Sequence, residues 1–127
     1  MNASEYQKLA MRTNDGESTY RLAKALMKAE NENSVDLGGL MMMCLGLSGE
    51  LGEFTDIIKK AIFHEAEFDE EHAKKELGDF MWYVAGVCES FHWSLDEIME
   101  MNVEKLKKRY PDGFNVERAN HRNSEDV

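Results

Sequence analysis

Residues 40–62 read LMMMCLGLSGELGEFTDIIKKAI, and the apolar side chains Leu40, Cys44, Leu47, Leu51, Phe54, Ile58 and Ile62 recur at gaps of 4, 3, 4, 3, 4 and 4. That is the period of one face of an α-helix, not the alternation of a strand. The spacing predicts a helix from about Asp36 to His64. Downstream, a helix is expected from an Asp69 cap to about His92. Its later half, FMWYVAGVC, is apolar nearly all round, which predicts a central helix buried on several sides. Ser94 followed by Glu97 reads as a capping box, so a further helix starts there and stops at Tyr110, ahead of Pro111, Asp112 and Gly113. Upstream, Ser4 is the candidate cap of a helix reaching Arg12, Asn14-Asp15-Gly16 is a turn, and residues 17–33 are helix-capable. The tail, 115–127, is polar and is expected to be flexible. The fold class is therefore all-α: a four-helix bundle in a single domain over 1–127, with its core at about 37–114. A helical unit of this size often completes its burial by oligomerising, so a homo-oligomer, dimer or tetramer, is expected.

Two acidic pairs interrupt this apolar pattern: Glu50 with Glu53, and Glu76 with Asp79. Each pair is spaced i,i+3, which stacks both carboxylates on one face of a helix. Either pair alone is a common surface decoration. Together they lie on strongly apolar helices, where unpaired carboxylates are costly to bury, and a divalent cation is a natural partner for all four. Gly46, Gly49 and Gly52 fall inside the first of these helices, each costing about 1 kcal/mol relative to alanine. Gly46 and Gly49 share the face of Glu50 and Glu53, where they can clear space for a neighbouring helix, a metal or a phosphate.

Charge narrows the classes of partner. Against 15 Lys and Arg stand 25 Asp and Glu, a formal net charge of −10. Such a chain repels phosphate esters at long range unless a local cation reverses the sign, and it lacks the basic stripe of a nucleic-acid or anionic-membrane binder. No nucleic-acid or membrane partner is expected. Cys44 and Cys88 lie in apolar runs without zinc-ligand spacing and read as two buried, reduced thiols. With a polar N-terminal stretch, MNASEYQKLAMRTND, and no long apolar window, the expected compartment is cytoplasmic.

Three blocks, GLSGELGEFTDIIKK, KKELGDFMWYVA and NVEKLKKRYPDGF, make the chain from about Leu37 to Phe114 resemble the MazG-like all-α nucleoside triphosphate pyrophosphohydrolases. That family carries EExxE followed by ExxD, and here Gly49 replaces the first glutamate. The resemblance implies that Glu50, Glu53, Glu76 and Asp79 hold Mg2+, with Mn2+ as a possible substitute, on the triphosphate of a nucleotide substrate. It implies water attack at the α-phosphorus, giving a nucleoside monophosphate and pyrophosphate, with Glu50 or Glu53 activating the water. It also implies substrate contacts from Asn102 and Lys105 of the NxxKL pattern, and from Lys59 or Lys60.

Several of these residues have plainer readings. Asn102 falls in the apolar row Leu95, Met99, Leu106, Tyr110 and is expected to be inside, where a core amide satisfied by backbone would serve as well. Lys59, Lys60 and Arg109 are also favourable helix-end charges, although Arg109 has the planar fork of a triphosphate clamp. Tyr83, on the ridge of Asp79, fits a phosphate or sugar contact as well as core packing, and Trp82, Trp93 and Phe54 fit the core better than a base stack. A di-iron carboxylate bundle needs two ExxH motifs, and the chain offers one, Glu89 with His92, out of phase with the other carboxylates. The remaining alternative is a helical oligomer that binds magnesium or nucleotide without turnover.

Overall fold

The computed structural model describes residues 1–121. Six α-helices follow one another: α1 (Ala3–Ala10, continuing into a 3-10 turn over Met11–Thr13), α2 (Ser18–Glu32), α3 (Leu37–Phe63), α4 (Glu70–Phe91), α5 (Leu95–Arg109) and α6 (Val116–Asn120). No strand forms among the described residues, so the all-α expectation holds.

The long helices begin where short polar side chains satisfy their first backbone donors. Asp36 accepts from the Gly39 N–H at 2.9 Å, and Asp69 from the His72 N–H at 2.9 Å. Ser94 Oγ accepts from the Glu97 N–H at 3.4 Å. The expected boundaries of α3, α4 and α5 hold to within a residue. At the N-terminus the cap is Asn2 instead of Ser4: its side chain accepts from the Glu5 N–H while Glu5 accepts from the Asn2 N–H, each at 2.9 Å. The tail differs too. Asn115 accepts from the Arg118 N–H at 3.1 Å and starts α6, so residues 116–120 are helical where a flexible tail was expected. The last part of that expectation, 122–127, lies outside the described residues.

α3 and α4 form an antiparallel hairpin, the one extensive helix–helix packing among the described residues. The Asp36 N–H donates to the Ser90 carbonyl at 2.9 Å, tying the start of α3 to the end of α4. Along the seam, Gly46 leaves room for the Tyr83 ring and Gly86 for the Met43 side chain; a β-carbon at either glycine would collide with those atoms. α2 touches α3 over a smaller area, and α5 packs on neither hairpin helix to a comparable extent. One chain therefore supplies a two-helix hairpin with flanking helices, not four mutually packed helices.

Burial follows from that open arrangement. Among the described residues the buried apolar side chains are Ala29, Ala73 and Cys88, all small. Met81 and Trp82 are about half exposed, so the all-round apolar half of α4 is not enclosed within one chain, and Trp93 just beyond it is equally exposed. Asn102 is exposed instead of inside, because the middle of α5 presents it to solvent with Met99 and Leu106. Cys44 is likewise exposed, and of the two thiols Cys88 alone is buried. Accessible surface totals 10746 Å², against about 6,900 Å² for a compact monomer of 14.6 kDa. No helix among the described residues is long and apolar enough to cross a membrane.

Candidate functional site

The hairpin seam brings carboxylates of α3 and α4 together. One oxygen each from Glu50, Glu76 and Asp79 lies within 4.8 Å of the others. Glu50 is half-buried, Glu76 is buried and Asp79 is exposed, so the cluster opens from the helix–helix seam toward solvent. The i,i+3 spacing of Glu76 and Asp79 sets both on the same ridge of α4, and the antiparallel register lays Glu50 against them. Crowding is visible in Glu50, whose carboxyl is held above its ordinary pKa. Desolvation is the main cause, followed by a hydrogen bond with Glu76 and repulsion from Glu53, Asp79 and Glu76.

Glu53, one turn beyond Glu50, stands outside this tight triad. It lines a neighbouring cleft of about 340 Å³ together with Gly49, Gly52, Asp56, Lys60 and His72. A β-carbon built on Gly49 or Gly52 meets nothing within 4 Å, so this side of the seam is open space. His72 was not singled out from the sequence, yet its Nε2 lies 2.8 Å from Glu76 Oε1. Its i,i+4 spacing to Glu76 was the available signal. Asp56 was also missed: it ion-pairs with Lys59 and, at 2.7 Å, with Lys60. Both lysines hold the Asp56 carboxyl down to about 2.

The remaining expected contacts are dispersed. Tyr83 fills the notch at Gly46, its ring edge-on to Trp82 at 4.9 Å between centroids, which is the packing role weighed for it. Asn102 and Lys105 are exposed on α5, and Arg109 sits with its guanidinium 6.0 Å from the Tyr110 ring centroid. None of these lines the cleft beside the carboxylates within the same chain.

Donor type and grouping test whether a metal fits. All three clustered groups are hard carboxylate oxygens, the set preferred by Mg2+ and Mn2+, and no soft sulfur or imidazole is among them. Desolvation of Glu50, with the added repulsion of its acidic neighbours, disfavours its charge, and a cation would offset both. Residues 40–114 match the model of the MazG nucleotide pyrophosphohydrolase domain, more than half of the chain, and include Glu50, Glu53, Glu76 and Asp79. The chain belongs to the MazG nucleotide pyrophosphohydrolase family. Within curated proteins it is similar to the Gene 37 protein of Mycobacterium phage L5, 32% identical over 75 residues. That match covers 56% of this chain and 66% of the phage protein, so it spans a little under two thirds of its relative's length. No solved structure matches. Placed on the MazG domain, the triad and the Glu53 cleft both fall inside the matched region, while α1 and α2 precede it.

Proposed function

We propose that this MazG-family chain is a Mg2+-dependent nucleoside triphosphate pyrophosphohydrolase, converting (d)NTP to (d)NMP and pyrophosphate, with Mn2+ as a substitute metal. The observation that carries the reading is the Glu50, Glu76 and Asp79 triad beside an open cleft. These three residues would hold the metal, and Glu53 would complete the set or stay free of it. When bound, the metal supplies positive charge that offsets the triphosphate and the charge developing at phosphorus.

The chain's own residues divide the remaining work. Glu53 stands outside the triad and faces the cleft, so its carboxylate is the one available to orient a water and take its proton. The water oxygen bonds to the α-phosphorus as the α–β bridging bond breaks, and pyrophosphate leaves. Lys60 borders the same cleft, and on exchanging Asp56 for phosphate oxygens it would hold the polyphosphate end. Lys59, also paired with Asp56, adds a second cation near that end.

The accessible surface and the exposed apolar side chains support a homo-oligomer, because Met99, Val103 and Leu106 of α5 and Met81 and Trp82 of α4 remain roughly half exposed within one chain. A second copy would also bring α5 to the carboxylates, where Asn102, Lys105 and Arg109 can contact substrate. The deciding experiment measures monophosphate and pyrophosphate release from a panel of canonical and modified NTPs and dNTPs, with Mg2+ and with chelator. Metal-dependent pyrophosphate release is expected. Mg2+ binding without release from any nucleotide would replace catalysis with a sensing or structural role.

A further inference from the structure

Toward the α3 N-terminus and the α4 C-terminus the hairpin opens into a second cavity, of about 610 Å³, a size that suits a small-molecule ligand. Met42, Met43, Trp82 and Ala85 give it apolar walls, and Glu89 lines it as well. Met42 and Lys60 are separated by a whole number of turns, so this cavity and the Lys60 cleft open on the same face of α3, with Glu50 between them along the helix. Trp82 is 58% exposed, yet its mount is firm. Tyr83, seated at Gly46 in the seam, meets the Trp82 ring edge-on at 4.9 Å between centroids. The Glu89 side chain has no hydrogen-bond or ion-pair partner among the described residues.

We infer that this cavity is the base subsite: the nucleobase stacks on Trp82 between the methionines, and Glu89 selects bases that carry an amino group where uracil and thymine carry a carbonyl. This rests on the reading of the carboxylate triad as the metal and phosphate centre. Length sets the direction of the substrate. At about 1.5 Å per residue, Trp82 lies about 5 Å and Gly86 about 10 Å beyond Asp79 along α4, which is the reach of a sugar and a base from an α-phosphate held at the triad. Charge gives the same direction. Lys59 and Lys60 stand on the other side of Glu50, whereas the charged side chains lining the cavity include the carboxylates of Asp36 and Glu89 and no lysine or arginine. Such a cavity repels phosphate and accepts an uncharged ring. Stacking on an aromatic ring holds any base, and thioethers pack well against aromatic faces, so Trp82, Met42 and Met43 supply affinity without choice. Choice comes from Glu89, because an ionised carboxylate only accepts hydrogen bonds. The amino groups of cytosine and adenine can donate to it, while the O4 carbonyl of uracil and thymine repels it.

The test uses the full chain with Mg2+ and the α,β-imido analogues of dCTP and dUTP, whose bridging nitrogen blocks pyrophosphate release, with inorganic triphosphate as the ligand that lacks a base. Binding is read by isothermal titration. Wild type is expected to hold the dCTP analogue about 10-fold more tightly than the dUTP analogue, the scale of one hydrogen bond to a charged group. Glu89→Gln, whose amide both donates and accepts, is expected to erase that preference. Trp82→Ala is expected to weaken both analogues about 10-fold, with triphosphate binding unchanged in both variants. The inference alone is overturned if wild type shows no preference, if Glu89→Gln keeps it, or if Trp82→Ala binds the analogues as wild type does. An equal loss of triphosphate binding in Trp82→Ala also overturns it, since the ring would then be structural. Wild-type protein that binds neither triphosphate nor analogue overturns the metal and phosphate reading together with this inference.

Discussion

The two halves of the α3–α4 seam use glycine for opposite purposes. Toward the α3 N-terminus, Gly46 and Gly86 are filled notches: Tyr83 occupies one and Met43 the other, and the helices close on each other. Around Glu50 and beyond, Gly49, Gly52 and Gly78 meet nothing within 4 Å, and carboxylates take the place of packed side chains. One pattern of in-helix glycines thus supports close packing at one end and an open acidic cleft at the other. Close packing lies in the first half and the candidate metal site in the second, so substitutions in the two halves should separate cleanly by readout.

The largest effect is expected at the open half. Asp79→Asn or Glu53→Gln should lower pyrophosphate release at least 100-fold, the scale of removing a positioned acid–base or charge-bearing group, with circular dichroism unchanged. Full activity in either variant would erase the contrast. Next comes the packed half: Gly46→Val drives a side chain into the Tyr83 ring and should destabilise by about 1–3 kcal/mol, read as a lower melting temperature. Were Gly46→Val to melt like wild type, the notch would not be structural. Mixing two inactive variants, Glu53→Gln and Lys105→Ala, asks whether α5 belongs to a neighbour's cleft. Recovered activity in the mixture places the two residues of one working site on different chains; none places them on the same chain.

A smaller effect comes from pH. Because the folded metal-free protein holds the Glu50 proton more tightly than the unfolded chain does, its contribution to stability is present below the ordinary carboxyl value of 4.5 and lost as pH rises through the raised value. Melting temperature in chelator should therefore decline across the range just above 4.5, and Mg2+ should remove that decline by displacing the proton. Asp56 works with the opposite sign, its contribution being lost as pH falls toward about 2, so the two windows do not overlap. The smallest expected change is Gly49→Ala. No atom stands in the way of the methyl group, and the helix gains up to about 1 kcal/mol, seen as a slight rise in melting temperature.

Periodicity carried the helices well. The Leu40-to-Ile62 stripe and the Asp69 and Ser94 caps describe local, i to i+4 chemistry, which a chain displays without knowing its neighbours. Glu76 with Asp79 was legible for the same reason. Glu53 looked equivalent to Glu50 because spacing along one helix says nothing about where the opposing helix lies, and only Glu50 meets the α4 ridge. His72 and Asp56 were overlooked although both sit at helical spacing from their partners, because such pairs are ordinary on exposed faces. The expectations of burial for Asn102, Cys44 and the second half of α4 went astray for one shared reason. An apolar row says that a face must be covered, but not whether its own chain covers it.

By itself, the sequence determined the three long helices α3, α4 and α5 with their ends, the acidic pairs and the family, since these depend on contacts between residues a turn apart and on motifs read in order. Tertiary structure alone decided that α3 and α4 close around Tyr83 and Met43, that three of the four carboxylates converge while Glu53 faces a cleft, and that α5 is left uncovered. Those outcomes turn on the register between two helices far apart in sequence, and register is set by which side chains fit into which gaps.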